Sequence, residues 1–280
     1  MIKIVSTLLY LENQHAEHIH VHNYSPWSRL ISLPALCLLL FTLLIFSCAS
    51  TPSAQDIGEA EAHNKLGYSY LNNGQLNEAF VEFQKAIALN PENKEALYNL
   101  GYISYKFKEY PEAISYYERT LLVDPNYSEA VNNLGVIYTD MENWDEAIRY
   151  FKAALNNSLY PTPAWAYSNL GYAYYRKGNY IEAEKSLKEA LIRNPVFPRA
   201  VYILGLVYIK TNDDKAAIAE FKKAIGTQPD YTDAHWELAK AYLRTGRKAK
   251  ALKHFQVVAE KDEDIERRTE ASDYIEELKY

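Results

Sequence analysis

The chain has 280 residues, of which 48% are hydrophobic, and its 30 basic and 36 acidic residues give a net charge of −6 at pH 7. This composition supplies a buried core, which excludes general disorder, and lacks the broad basic surface that nucleic-acid binding requires. Both cysteines, Cys37 and Cys48, precede residue 50, so the rest of the chain can form neither a disulfide framework nor a thiolate metal site.

The first predicted element is an apolar segment at residues 30–47, which reads LISLPALCLLLFTLLIFS and carries no charge. Arg29 precedes it, and a polar stretch follows it. The segment is slightly shorter than the roughly 20 apolar residues that span a bilayer. A positive residue, an apolar stretch and small residues at its end are typical of a secretory signal peptide.

The end of this segment, Ile45-Phe46-Ser47-Cys48, resembles the lipobox of bacterial lipoproteins, although Phe46 departs from the small residue usual at its position. The resemblance implies cleavage after Ser47, a diacylglycerol on the Cys48 sulfur and an acylated amino group. Several acyl chains on one residue anchor a protein stably to a membrane. Ala49, in place of an aspartate, implies a periplasm-facing lipoprotein of the outer membrane in a Gram-negative bacterium. An uncleaved membrane anchor is the alternative interpretation.

Four histidines lie before the signal, at His15, His18, His20 and His22. Such a cluster could bind a metal ion on a shared helix or strand face. Cleavage before Cys48 would remove it, so no metal or cofactor is predicted for the mature chain. Residues 1–47 are interpreted as a leader and signal peptide, and residues 48–59 as a lipidated tether.

The remainder of the chain is an internal repeat with a period of about 34 residues. Its most regular feature is a Leu-Gly pair, present five times and replaced by Leu238-Ala239 in a sixth copy. An alanine follows twelve residues later, and a large apolar residue follows four residues after that. Most copies close with a proline, which disfavours helix in the residue before it. The glycines are Gly67, Gly101, Gly135, Gly171 and Gly205; the alanines are Ala79, Ala113, Ala147, Ala183, Ala217 and Ala251; the large residues are Phe83, Tyr117, Phe151, Leu187, Phe221 and Phe255.

This pattern resembles the tetratricopeptide repeat over residues 60–263. The resemblance implies an all-α fold, a right-handed superhelical solenoid of about six helical hairpins. Its units are predicted at residues 60–93, 94–127, 128–163, 164–197, 198–231 and 232–263. The interval between the third and fourth units is two residues longer than the others, which predicts an extended loop at NNSLYPTPAW. Residues 264–280 are predicted to form a capping helix, which the open end of a solenoid requires.

No arrangement of residues in the sequence predicts an enzyme. The chain lacks the G-x-S-x-G, Walker-type and H-E-x-x-H motifs. After the signal its only histidines are His63, His235 and His254, which are isolated from one another in the sequence. We therefore expect neither catalysis nor a small-molecule substrate.

The predicted binding surface is the concave groove lined by the first helix of each hairpin. Two columns of the repeat should face it, one rich in asparagine and the other in tyrosine. Asparagine amides can both donate to and accept from the backbone of an extended peptide, and tyrosines add apolar area with a hydroxyl. Trp165, Arg199, Tyr202 and Trp236 form a second candidate region, because Trp and Arg are typical interface anchors. The first columns contain Asn99, Asn133 and Asn169, and Tyr68, Tyr102 and Tyr172.

The combination of lipobox, short tether, six hairpins and capping helix is similar to the lipoproteins that assist type IV pilus biogenesis. The resemblance implies that the groove holds an extended segment or helix of a secretin subunit, or of another envelope protein, during outer-membrane assembly. Repeat lipoproteins that gather peptidoglycan-remodelling enzymes are the alternative family. Nucleic acid is not an expected partner in either case.

Overall fold

A computed structural model describes residues 51–279. The leader, the histidine cluster and Cys48 with its predicted lipid lie outside these residues. The described part contains thirteen helices. They are α1 Ala54–Asn72, α2 Leu76–Leu89, α3 Lys94–Lys106, α4 Tyr110–Val123, α5 Ser128–Asp140, α6 Trp144–Leu155, α7 Pro163–Lys177, α8 Tyr180–Arg193, α9 Pro198–Lys210, α10 Asp214–Thr227, α11 Thr232–Arg244, α12 Lys248–Lys261 and α13 Ile265–Leu278. Within residues 51–279, none of these helices has both the length and the apolar character needed to cross a bilayer.

The first twelve helices form six hairpins that stack in chain order, which confirms the all-α solenoid. Each helix packs against the helices before and after it in the chain. The first helices of successive hairpins, from α3 to α11, also contact one another. Because a hairpin alone leaves apolar faces exposed, the stacking is what buries the core.

The repeated glycine places the two helices of a hairpin in direct contact. A Cβ atom built on Gly135 would lie 2.6 Å from the Phe151 ring, and one on Gly205 would lie 2.5 Å from the Phe221 ring. Such distances are far below van der Waals contact, so only glycine admits the ring at this spacing. The repeated alanine of the second helix is fully buried in all six units.

Four of the five closing prolines end a second helix as predicted, whereas α6 ends at Leu155, well before Pro161. Asn90 and Asp124, each directly before a proline, have extended backbone at ψ 94°. The proline ring disfavours helical geometry in the preceding residue, so the helix stops there. The long interval between the third and fourth units appears as the connection 156–162 between α6 and α7.

The first helix begins earlier than the repeat pattern predicted. It starts at Ala54, inside the segment 48–59 that was interpreted as a tether. Ser53 is its N-cap: the Ser53 hydroxyl accepts from the Asp56 amide at 3.1 Å, and the Asp56 carboxylate accepts from the Ser53 amide at 2.8 Å. This reciprocal capping box fixes the helix start independently of the repeat.

The capping helix α13 covers the last hairpin. Tyr274 stacks on Phe255 with ring centroids 4.6 Å apart, and Ala271 is fully buried. Arg267 donates to Asp233 on α11 at 2.6 Å and to the buried Asp262 at 3.0 Å. Apolar stacking and charge pairing together hold α13 in place.

Candidate protein-binding groove

Two adjacent pockets lie along the first helices in the middle of the solenoid. Val136, Asn169 and Arg199 line both, so the pockets form one surface, which we call the central groove. The first pocket has a volume of about 440 Å³ and is lined by Tyr98, Glu129, Asn132, Asn133, Val136, Tyr160, Thr162, Trp165, Asn169 and Arg199. The second has a volume of about 390 Å³ and is lined by Tyr105, Val136, Thr139, Asp140, Phe151, Asn169, Tyr172, Arg199, Tyr202, Ile203 and Tyr231.

A chain of polar side chains crosses the floor of the central groove. The Asn133 amide donates to the Tyr98 hydroxyl at 3.2 Å and to the Tyr117 hydroxyl at 3.1 Å. On α7 the Asn169 amide donates to the Asn132 Oδ1 at 3.3 Å, and Asn169 Oδ1 accepts from Arg199 at 2.7 Å. These bonds link four successive first helices, from α3 to α9.

The three predicted asparagines differ in their surroundings. Asn99 is buried, and its amide donates to the Glu95 carbonyl of its own helix at 2.8 Å. Asn133 and Asn169 belong to the polar chain described above. Since these amides already have partners, a bound peptide would exchange hydrogen bonds with them rather than fill vacant positions.

The predicted tyrosines lie at three places along the first helices. Tyr68 on α1 is 38% exposed and meets the edge of Phe83. Tyr102 lines a third pocket, near α1 and α2, which meets the central groove only at Tyr98. Tyr172 lines the central groove, and its hydroxyl accepts from Arg176 at 2.8 Å. Of the three predicted tyrosines, the structure therefore brings only Tyr172 into the central groove.

Some residues of the second candidate region lie in the central groove and others lie in the hydrophobic core. Trp165 is 51% exposed and packs edge-on against Phe197, and Tyr202 packs against Tyr231 at 5.1 Å. Both line the central groove.

Trp236, by contrast, is 8% exposed and lies under the capping helix, 5.9 Å from Tyr274. Its assignment to the binding surface is corrected: α13 covers this ring, so it belongs to the core of the last hairpin.

Arg199 is the one arginine that lines both pockets of the central groove. Its guanidinium lies 5.7 Å from the centre of the Tyr172 ring. Within residues 51–279 no carboxylate oxygen lies within 4.0 Å of its nitrogen atoms. Burial among neutral side chains lowers the pKa of Arg199. Desolvation without a counter-charge is costly, so this position favours an anionic ligand.

Several groove residues were not singled out from the sequence, chiefly Tyr98, Tyr105, Asn132 and Tyr231. Tyr98 and Asn132 each stand three residues before a repeat glycine, next to the asparagine column. The repeat register could have identified this column, because its member in the fifth unit is Tyr202, which is already predicted from the sequence as a candidate binding residue. Tyr105 donates to Asp140 at 2.8 Å, a contact between two repeats that the register alone does not reveal.

Two of the three histidines that are isolated in the sequence, His235 and His254, are paired in space. The Nδ1 atoms of His235 and His254 lie 2.9 Å apart, and His235 Nε2 lies 3.0 Å from the Pro229 carbonyl oxygen. A carbonyl can only accept, so His235 carries its proton on Nε2 and His254 donates through Nδ1. Burial lowers the pKa of both rings, that of His254 to about 4. In the part of the chain described, no three His, Cys, Asp or Glu residues gather as a metal site.

Models of the tetratricopeptide repeat match the chain at residues 64–121, 94–156, 126–191, 168–232 and 208–269. The overlapping matches run without a gap from residue 64 to residue 269, which is well over half of the chain.

Several solved structures share this fold. PilW, a widely conserved type IV pilus biogenesis factor, is 25% identical, with a TM-score of 0.67 over 75% of this chain and 97% of PilW. Pseudomonas aeruginosa PilF is 18% identical, with a TM-score of 0.68 over 78% of this chain and 99% of PilF, a likeness of fold alone. MamA is 30% identical, with a TM-score of 0.52 over 59% of this chain and 95% of MamA.

Proposed function

We propose that this chain, which belongs to the tetratricopeptide repeat family, assists assembly or outer-membrane localisation of the type IV pilus secretin. It is a protein-interaction scaffold that resembles the type IV pilus biogenesis factor PilW and shares its fold with PilF. The observation that carries the proposal is the likeness to PilW, which extends over nearly all of that protein. The proposed role is mechanical, because the groove holds a subunit segment and no bond is made or broken.

The proposed membrane anchor is a set of acyl chains on Cys48. Its support is the lipobox-like sequence that precedes a repeat domain beginning at Ala54. Few residues separate the two, so acyl chains would hold the first hairpin close to the membrane surface. The groove would then meet secretin subunits at the membrane into which they insert.

The proposed binding surface is the central groove. Its polar floor can exchange hydrogen bonds with an extended backbone, and its aromatic walls supply apolar contact area. Stacked helices hold these side chains in a fixed arrangement, which lowers the entropy cost of binding.

Deletion of the gene tests the function directly. We expect loss of secretin multimers and of surface pili, both restored by the full-length gene. Normal multimers with normal piliation would contradict the proposal. Co-purification of cell-wall hydrolases in place of secretin would support the peptidoglycan-adaptor alternative.

Mass spectrometry of the native N-terminus tests the anchor. The expected product begins at a triacylated Cys48, and Cys48→Ser should leave the chain unprocessed. An intact chain that retains residues 30–47 would exclude lipidation, whatever the outcome of the deletion.

The double variant Asn133→Ala/Asn169→Ala tests the groove. We expect it to weaken binding of the secretin subunit several-fold, because two hydrogen-bonding side-chain amides of the groove are lost. Asn77→Ala is the matched control, since Asn77 is exposed on α2, outside the central groove. Equal retention by the double variant and the control would remove these asparagines from the binding surface.

A further inference from the structure

We infer that the central groove recognises an internal, extended segment of the partner that carries a single acidic side chain, paired with Arg199. This inference rests on the proposed function, because it concerns the partner segment that the groove would hold. It adds the chemistry by which the segment is selected.

The repeat register shows that Arg199 reverses the charge usual at its position. It stands six residues before a repeat glycine, where other units have Glu61, Glu95, Glu129 and Asp233. The fourth unit has Trp165 there. A cation at a position that is acidic in four units is therefore a particular feature of the fifth unit.

The nearby carboxylates do not balance this charge: even Glu129, which lines the same pocket, has no oxygen within 4.0 Å of the Arg199 nitrogens. Asp233, the equivalent residue of the next unit, pairs with Arg267 at 2.6 Å, and Asp140 accepts from Tyr105 at 2.8 Å. The contacts of Arg199 itself are the neutral Asn169 oxygen and the Tyr172 ring. A ligand carboxylate would supply the missing counter-charge in a partly desolvated place, where charged hydrogen bonds are strong.

The position of Arg199 favours an internal segment over a chain terminus. Arg199 lines both pockets, so it lies between them. A terminal carboxylate paired with Arg199 would leave one pocket without a ligand. An extended segment that passes Arg199 can place neighbouring side chains in both pockets, since alternate side chains point in opposite directions.

The rest of the groove defines the residues beside the acidic one. Glu129 lines one pocket and Asp140 lines the other, so a run of acidic residues would be repelled on both sides. Tyr105, Tyr202 and Tyr231 form an aromatic wall in the second pocket. An aromatic or aliphatic residue next to the acidic one fits this wall, and neutral residues fit the remainder.

The test uses two display libraries of short random segments against the purified full-length chain. One library holds the segments between two folded domains, so that neither end is free, and the other displays them with a free C-terminus. We expect enrichment in the first library of segments with one Asp or Glu at a constant position. Three results would each overturn the inference. They are enrichment only in the library with free C-termini, enriched segments that share no acidic residue, and no enrichment in either library.

Enriched segments, synthesised with blocked ends, are then measured by fluorescence anisotropy. Changing the acidic residue to its amide in the peptide should weaken binding about 10- to 100-fold without altering the protein. Arg199→Gln should produce a similar loss, Arg199→Lys a smaller one, and Arg149→Gln, on the second helix α6, none. Equal affinity of the acidic and amide peptides for the wild-type chain would refute the pairing.

The inference and the proposed function fail in different ways. Acid-dependent binding with normal piliation in the deletion strain would leave the groove chemistry established and exclude the pilus role. Lost piliation together with binding that does not depend on the acidic residue would support the pilus role and exclude the pairing with Arg199.

Discussion

In most units a contact between the repeat glycine and an aromatic ring sets the spacing of the two helices. Alanine substitution should therefore have opposite effects on stability at a glycine that makes this contact and at one that does not. Gly135→Ala gains about 1 kcal/mol in helix propensity, but its Cβ would lie 2.6 Å from the fully buried Phe151 ring. Inserting an extra methyl group into a well-packed core costs about 1–3 kcal/mol of stability. We expect a net loss of stability, measured as a lower midpoint of urea unfolding.

Gly226→Ala is the matched control, because a Cβ there meets no atom within 4 Å. Gly226 lies inside α10, so the change should raise stability by about 0.5–1 kcal/mol. Equal effects of the two substitutions would show that the ring contact does not govern the spacing.

The paired histidines predict a dependence of stability on pH. The pKa of His254 is lowered to about 4 by burial and by His235, and burial also lowers the pKa of His235. In the unfolded chain both titrate near 6.5. Below pH 6.5 the unfolded chain therefore binds more protons than the folded one, and stability falls until the pH reaches about 4.

His254→Gln keeps a side-chain donor for His235 and removes one titrating group. The measurement is the melting temperature between pH 7 and pH 4, compared with the wild type. We expect the variant to lose stability less steeply over this range. Parallel curves would show that the pair does not contribute to acid sensitivity.

At the scale of the element, α13 closes the solenoid chiefly through Tyr274. This ring stacks on Phe255 and meets Trp236 edge-on. Tyr274→Ala should destabilise the chain by about 1–3 kcal/mol, because it removes apolar contact and uncovers the last hairpin. Differential scanning calorimetry and binding of a hydrophobic dye measure the two effects.

Tyr274→Phe is the control for this prediction, since it retains the stacked ring. It should melt close to the wild type and bind little dye. A Tyr274→Ala variant that behaved like the control would mean that α13 caps the solenoid through its other contacts, chiefly the Arg267 pairs with Asp233 and Asp262.

At the scale of the whole molecule, a stack of hairpins has stability that varies along the chain. Helix α1 buries only Ala60 and Gly67, whereas α7, in the middle, buries eight residues. We expect amide hydrogens of α1 to exchange with solvent much faster than those of α7, as measured by mass spectrometry. Uniform protection from α1 to α12 would contradict this gradient.

The sequence by itself determined the fold. The period of about 34 residues, the glycine and alanine columns and the closing prolines act within one hairpin or between neighbours, so their physical meaning is local. For the same reason the repeat register placed Tyr172, Trp165, Arg199 and Tyr202 on the first helices, and the structure finds all four lining the central groove.

Only the tertiary structure decided how these residues are used. Bonds such as Asn169 to Asn132 and His254 to His235 join side chains 37 and 19 residues apart. Trp236 is covered because α13 folds back on the last hairpin. Such contacts depend on the particular side chains of each unit, on how hairpins stack and on where the stack ends. A repeat pattern encodes none of these, because it describes every unit alike.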